Sequence, residues 1–203
     1  MLAGLLRDLR SGILLLTIIA ILTGIIYPAL ITAIAQNIFP WRANGSLLQI
    51  NDKTVGSALI GQAFTDPRYF WGRPSATLPF AYNAESSGGS NLGPMNPDYL
   101  AELKSRKNFL ENSDTQNNSP VPLDMITASA SGLDPEISPQ AAFYQTYRIA
   151  KARKIPEDLI ENLLRKYILK PSFGVLGEIR VNVLQLNMAL DEMDKRIPKY
   201  KAP

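Results

Sequence analysis

Hydrophobic and polar positions divide the chain into two parts of different character. Residues 11–41 carry no charged side chain, and Ile13–Ala35 is almost wholly apolar. A helix over Ile13–Ala35 would be about 34 Å long, enough to cross a hydrocarbon layer of about 30 Å. Soluble helices normally keep a polar stripe, and this stretch has none. The pattern therefore predicts an N-terminal transmembrane helix.

Two other interpretations of the apolar stretch stay open at the level of sequence. The helix could be buried in a soluble core, or it could belong to a cleaved signal peptide. Ala33–Ala35 has the small-residue form of a signal-peptidase site. However, the apolar run is longer than the roughly 7–15 residues of a signal-peptide core. We therefore favour an uncleaved anchor.

The charges beside this stretch predict its orientation. Arg7 and Arg10 precede it, whereas only Arg42 and then Lys53 follow closely behind. Because positive residues are enriched on the cytoplasmic side, the N-terminus is expected inside the cell. The predicted division is a cytoplasmic segment 1–12, a transmembrane helix 13–35 and an extracytoplasmic domain 42–203.

Small or helix-perturbing residues form a strip within the apolar stretch. Ala20, Gly24, Pro28 and Thr32 recur every four residues among bulky neighbours. Such a strip lets a second helix approach closely, although Gly and Pro are also simply common in membrane helices. Pro28 leaves a carbonyl near Gly24 without its helical partner, which predicts a kink.

The pattern after the apolar stretch predicts a mixed domain, an α/β fold of the α+β kind. Two apolar runs around Asn51–Lys53 predict a β-hairpin. Residues 65–97 show no sustained period but contain many aromatic residues, which predicts a long, ordered loop. The expected later elements are a helix over Pro97–Asn108 capped by Asn96, a mobile loop over Glu111–Pro120, a helix from Pro139 to about Lys154 capped by Ser138, a helix starting at Pro156, and a segment over 178–193 that begins as a strand and ends helical.

Composition removes several kinds of chemistry. The chain has no Cys and no His, so it lacks thiol nucleophiles, imidazole bases and the usual zinc ligands. We accordingly predict no catalytic and no metal-binding residues. A net charge of +3 is too small to indicate nucleic acid. The local basic cluster is interpreted as complementing a helix dipole rather than as a binding site; its members are Arg148, Lys151, Arg153 and Lys154.

Thr127–Pro139 has the composition of an active-site loop, with small residues, hydroxyls and two carboxylates. A serine nucleophile there would need Lys or a carboxylate for activation, and the chain has neither the SxxK nor the GxSxG motif. Close packing or partner contact is the better interpretation. The residues expected to make these contacts are Ser129, Ser131, Gly132 and Asp134.

The glycine-rich stretch Ser86–Asn91 allows two interpretations. Backbone amides of such loops can bind phosphate, but this one lacks the GK[ST] of a P-loop. It is predicted to contact either a nucleotide or a partner. The residues concerned are Ser87, Gly88, Gly89, Ser90 and Asn91.

Five motifs in order carry a resemblance to a known family. They are "VGSALIGQAF", "YFWGRPSAT", "YNAESSGGSNLGPMNP", "PVPLDMITASASGLDPEISPQAA" and "GEIRVNVLQLNMALD". Together, behind one apolar N-terminal span, they resemble the KdpC subunit of the bacterial potassium-transporting ATPase. The resemblance extends to about Asp191. Three positions depart from the usual family pattern: Glu136 replaces His, and Tyr147 and Ile179 each replace Pro.

The resemblance implies an accessory, non-catalytic subunit in the cell inner membrane. Its implied partners are a potassium channel-like subunit, a P-type ATPase subunit and a small membrane peptide, together with the lipid bilayer. It is expected to support assembly and to act as a catalytic chaperone that raises the ATPase subunit's affinity for ATP, with no cofactor of its own. The alternative is a membrane-anchored extracytoplasmic hydrolase that uses carboxylates such as Asp124, Asp134 and Glu136.

Overall fold

A computed structural model describes residues 2–196. The predicted domain limits at residues 1 and 203 lie outside this range. The chain divides into two units, one up to Leu47 and one from Leu48 onward, and each is described by itself.

The first unit is dominated by one apolar helix. It consists of α1 (Leu2–Ile21), a π-helical turn (Leu22–Ile26) and α2 (Tyr27–Ile38), followed by the short α3 (Pro40–Ala43). The span Gly4–Ile38 has 35 residues, and its most apolar 18-residue window has a mean hydropathy of 2.5 with no residue buried. The helix is thus long and apolar enough to cross a membrane, and its exposure argues against the soluble-core interpretation.

The distortion expected from Pro28 takes the form of the π-helical turn. The Tyr27 amide donates to the Leu22 carbonyl, five residues back. Pro28 has no amide hydrogen for the Gly24 carbonyl, so a wider turn at this point is physically reasonable. In an α-helix, residues four positions apart are offset by about 40° around the helix axis. A π-helical turn rotates less per residue and therefore reduces this offset. The π turn therefore helps to keep Gly24 and Pro28 on one side of the helix.

Two threonine hydroxyls within the apolar helix are satisfied internally. The hydroxyls of Thr17 and Thr23 donate to the carbonyls of Ile13 and Ile19, each at 2.8 Å. Satisfied polar groups are what a hydrocarbon environment requires, because no water is available there.

The second unit contains short strands and six helical segments among the described residues, five α-helices and one 3₁₀ turn. Two strands, β1 (Leu47–Ile50) and β2 (Lys53–Ser57), form a hairpin. The remaining elements in chain order are α4 (Pro97–Ser113), a 3₁₀ turn (Leu123–Met125), β3 (Glu136–Ile137), α5 (Pro139–Tyr144), α6 (Thr146–Arg153), α7 (Glu157–Tyr167), β4 (Ile168–Leu169), β5 (Arg180–Asn182) and α8 (Val183–Arg196).

A small antiparallel sheet lies at the centre of this unit. Its strand order is β3-β5-β4, and Val181 of β5 pairs with Ile137 on one side and Ile168 on the other. The core that includes Val181 is apolar and draws on α5, α6, α7 and α8 as well as on the segment around Phe70. Its fully buried members include Ile160, Leu164, Leu186 and Leu190. The mixed α+β fold predicted from the sequence is confirmed.

Local sequence signals predicted several element ends correctly. Asn51 and Asp52 both have positive φ, 50° and 61°, as a two-residue type I′ hairpin turn requires. The Asn96 side chain accepts from the Asp98 amide at 2.8 Å, and the Ser138 hydroxyl accepts from the Ala141 amide at 3.0 Å. Both N-caps are confirmed. The predicted irregular segment 65–97 is also confirmed up to its last residue, Pro97, where α4 begins.

Two element predictions were wrong. The helix expected over Pro139–Lys154 is two helices, α5 and α6, separated at Gln145. The loop expected over Glu111–Pro120 begins inside α4, and Asp114 is buried. The segment has a packing role after all, because the Asn117 side chain donates to the Tyr144 carbonyl at 2.8 Å.

Candidate functional site

The two glycine- and serine-rich segments singled out in the sequence lie against each other. We call Ser86–Asn91 and Thr127–Pro139 the loop pair. The Gly88 amide and the Ser87 hydroxyl both donate to the Ser131 carbonyl, each at 2.9 Å. Residues 44 positions apart, Ser87 and Ser131, therefore join the two segments into one surface.

Glycine is needed where the loop pair is closest. A Cβ on Gly89 would lie 2.9 Å from the Ala130 carbonyl oxygen. Gly132 has φ +67°, and a Cβ there would lie 2.5 Å from Cγ2 of Thr77. By contrast, no atom lies within 4 Å of the position of a Cβ on Gly88. These glycines thus serve close backbone approach, as proposed for Thr127–Pro139.

The predicted contact residues of the loop pair differ in exposure. Ser129 is 5% exposed, and its hydroxyl accepts from the amide of the buried Gly132 at 2.9 Å. Ser131 is exposed, whereas Asp134 is half-buried and forms an ion pair with Arg73 at 3.1 Å. Only Ser131 and Asp134 of the predicted four therefore present side chains at the surface.

The remaining predicted residues of the glycine-rich segment, Ser90 and Asn91, are at least partly exposed. Ser90 is half-buried, and Asn91 is exposed with φ 53°. Their backbone follows the Gly88 amide, which is already bonded to Ser131.

A hydrogen-bond network supports the loop pair from within the segment 65–97. The Ser75 hydroxyl donates to the Gly132 carbonyl at 2.7 Å and accepts from the Tyr82 amide at 2.9 Å. The Tyr82 hydroxyl donates to the Arg73 carbonyl at 2.5 Å. Burial raises the pKa of Tyr82 to about 12. The phenol is therefore held neutral as a structural donor.

The three carboxylates named for a hydrolase line one open hollow of about 670 Å³, together with Arg73 and Arg180. Each already has a structural partner. Asp124 accepts from the Ser138 amide at 2.7 Å, Asp134 pairs with Arg73 at 3.1 Å, and Glu136 pairs with Arg180 at 2.8 Å. Ser138 caps α5 with its hydroxyl. The hollow is thus lined with turn contacts and ion pairs rather than with a nucleophile beside a base.

Two buried amides that sequence reasoning missed hold the aromatic part of segment 65–97. Asn187 of α8 accepts from the Phe70 amide and donates to the Phe70 carbonyl, both at 2.9 Å. Gln145 accepts from the Trp71 amide at 2.8 Å and donates to the Trp71 carbonyl at 3.2 Å. The two side chains bond this backbone as a neighbouring strand would. A polar residue within an apolar pattern marks each of these amides as a candidate for burial, but it does not indicate the residue to which the amide bonds.

The basic cluster contains two packing residues rather than only dipole partners. Arg148 is 6% exposed, its guanidinium lies 3.7 Å from the Trp71 ring centroid, and it donates to the Tyr69 carbonyl at 3.0 Å. Burial lowers the pKa of Arg148 to about 10. The Arg153 side chain, 5% exposed, pairs with Asp191 at 2.9 Å. The dipole interpretation was therefore incomplete.

The three departures from the family pattern are accommodated locally. Glu136 forms the ion pair with Arg180. Tyr147 lies in the first turn of α6, where Pro would also be tolerated, and its hydroxyl contacts Gln116. Ile179 precedes β5 and is exposed. Over the described range 2–196, no group of three or more acidic residues could hold a metal ion.

The structure defines a class of protein: a small mixed α+β domain joined to one N-terminal helix that could span a membrane. Comparison with known proteins identifies the family within that class. Residues 9–192 match the family model "KdpC: K+-transporting ATPase, c chain". The chain belongs to this family of potassium-transporting ATPase subunits.

Individual relatives agree with the family match over nearly the whole chain. A potassium-transporting ATPase KdpC subunit from Methylococcus capsulatus is 53% identical over 91% of this chain and 97% of its own length. The protein of the same name from Paraburkholderia xenovorans is 54% identical over 92% of this chain and 97% of its own length.

Proposed function

We propose that this chain is a non-catalytic accessory subunit of an ATP-driven potassium import complex. Its family membership supports the role. The partners that we propose are a potassium channel-like subunit, a P-type ATPase subunit and a small membrane peptide. The chain supports assembly and raises the ATPase subunit's affinity for ATP. The single observation that carries the non-catalytic role is the closure of the loop pair on itself, with the Gly88 amide bonded to the Ser131 carbonyl.

The proposed orientation has the N-terminus in the cytoplasm and the domain outside it. Arg7 and Arg10 before the apolar helix support this, because positive residues favour the cytoplasmic side. A reporter fused to the C-terminus is the test. A reporter that works only outside the cytoplasm should be active, and activity of a cytoplasm-only reporter would contradict the orientation.

In this orientation the domain reaches ATP only through its partners. The phosphates of ATP would meet no free amide at Gly88, and the Gly89 backbone packs on Ala130. The Gly88 amide is therefore not available to the kind of anion site that glycine-rich loops build from backbone amides.

The effect on ATP affinity must then come from conformational bias. A contact changes an equilibrium only if its free energy differs between the two states of the transporter. The surfaces available for such contacts are Ser131 and Asp134 of the loop pair and the strip around Gly24 and Pro28 in the apolar helix. None of these contacts requires bound nucleotide.

Purification in mild detergent tests the subunit role. An accessory subunit should be recovered with larger membrane proteins, which mass spectrometry would identify as transporter subunits. The hydrolase alternative predicts a chain that is recovered alone and cleaves substrate. Alanine substitution of Asp124 should then leave transport intact under our proposal, whereas loss of a hydrolytic activity would support the enzyme.

A further inference from the structure

The turn between β4 and β5 carries a cluster of exposed apolar side chains, which we call the apolar tip. Its members are Phe173, Val175, Leu176 and Ile179, which are 93%, 80%, 61% and 52% exposed. The turn is hydrogen-bonded: the Ser172 amide donates to the Leu176 carbonyl at 2.8 Å, and the Leu176 amide donates back at 2.9 Å. Water-exposed apolar groups are thus held in a fixed turn.

The backbone at the apolar tip is unusual for an aromatic residue. Phe173 has φ 55°, in the left-handed region that bulky residues seldom adopt, and it is followed by Gly174 at φ 78°. Nothing in the domain covers its ring, so intramolecular packing does not offset this conformation. Backbone strain that packing does not explain is a reason to look for function.

A lysine without an ion-pair partner, Lys170, begins the turn that carries the apolar tip. Lys170 is exposed and forms no ion pair among residues 2–196, whereas Arg180 is paired with Glu136. Glu178 is the one acidic side chain within the turn. The unpaired Lys170 beside an apolar cluster complements a surface that is both apolar and negatively charged.

We infer that the apolar tip inserts into the interface of a bilayer containing anionic lipid. Aromatic and aliphatic side chains with flanking lysines are the composition by which peripheral segments bind such an interface. The chain also carries a helix that could span a membrane, and a tether raises the effective concentration of lipid around the domain. The inference needs only a bilayer on the domain's side and does not rest on the proposed transport role.

The test is depth-dependent quenching in the full-length chain. Because the chain has no Cys, Val175→Cys provides a single labelling site at the apolar tip. Asn118→Cys provides the control, since Asn118 is exposed in the loop between α4 and the 3₁₀ turn. Each labelled chain is reconstituted into vesicles of phosphatidylcholine with or without phosphatidylglycerol. Some of the lipid carries a nitroxide quencher on the upper acyl chain.

We expect several-fold stronger quenching at position 175 than at position 118, and stronger quenching with phosphatidylglycerol than without it. Lys170→Gln should reduce that dependence on anionic lipid. Equal quenching at the two positions would overturn the inference. A second measurement adds a water-soluble quencher. The inference would also be overturned if the label at position 175 were shielded from that quencher only when membrane partner proteins are present, because the apolar tip would then dock on protein. Insertion that ignores phosphatidylglycerol would contradict the anionic preference.

Discussion

The side chain of Gln145 satisfies both backbone hydrogen-bonding groups of Trp71, accepting from its amide at 2.8 Å and donating to its carbonyl at 3.2 Å. Gln145 is 1% exposed and lies at the break between α5 and α6. One side chain thus fixes the aromatic segment to the helical core. The same oxygen accepts from Arg148 at 2.7 Å, so the cation over Trp71 belongs to the same network.

Replacing Gln145 with Ala should destabilise the domain strongly. The change leaves the Trp71 amide and carbonyl buried without partners, at a cost of about 2–4 kcal/mol in the free energy of unfolding. Urea denaturation of the purified chain, followed by tryptophan fluorescence, measures this. The matched control is Gln140→Ala in the exposed first turn of α5, which should change stability little. Equal effects of the two variants would show that the Trp71 bonds are not important.

The glycines of the loop pair should differ sharply in their tolerance of alanine. Gly132→Ala and Gly89→Ala should each cost about 1–3 kcal/mol, because the new Cβ collides with neighbouring atoms and Gly132 also needs positive φ. Gly88→Ala has open space and should be nearly neutral. Thermal unfolding of the three variants checks this order. A destabilised Gly88→Ala with a normal Gly132→Ala would contradict the described packing.

Sequence predicted the parts of this structure that depend on neighbouring residues. The apolar run, the hairpin turn at Asn51–Asp52 and the caps Asn96 and Ser138 all follow from local patterns, and all are present. The clasp of Trp71 by Gln145 joins residues 74 positions apart, so no local pattern could reveal it. It also explains why the single helix predicted across that position was wrong.

The loop pair shows the same division between local and long-range information. Ser86–Asn91 and Thr127–Pro139 were each recognised by composition. Their contact through Gly88 and Ser131 was not foreseen, because strands and helices predict pairing partners better than irregular loops do. The small residues of Thr127–Pro139 were attributed to close backbone approach, and Gly132 makes such an approach to Thr77 and Gly88.

Stability should fall between about pH 10 and pH 12 through Tyr82. Its pKa is raised from 10.0 to about 12 by burial, so the folded state keeps a proton that the unfolded state has released. That stability is present in full below pH 10 and is lost as the pH rises through the folded-state pKa. The contribution is about 3 kcal/mol.

Tyr82→Phe isolates this effect from the titration of other residues. The variant keeps the ring and loses the hydroxyl that donates to the Arg73 carbonyl, so it should be less stable at neutral pH and less sensitive to alkali. Denaturation curves at several alkaline pH values give the difference. An identical pH dependence in the two proteins would contradict the assignment to Tyr82.

Gly24 should matter for assembly and not for the fold of the chain itself. No atom lies within 4 Å of a Cβ on Gly24, so Gly24→Leu has room within the single chain. A leucine there should block close approach of a partner helix and lower recovery of the complex in mild detergent. Leu16→Ile, elsewhere on the same helix, should have little effect. Equal recovery of both variants would show that the strip is not an interface.

Calorimetric titration of ATP into the purified full-length chain, at physiological salt, tests most directly whether the subunit acts without a nucleotide site of its own. The closed loop pair, with the Gly88 amide bonded to the Ser131 carbonyl, predicts no saturable binding. The titration is repeated with Gly88→Val, a position with open space around it. Stoichiometric ATP binding that disappears in Gly88→Val would contradict the indirect mechanism and place a nucleotide site at the loop pair.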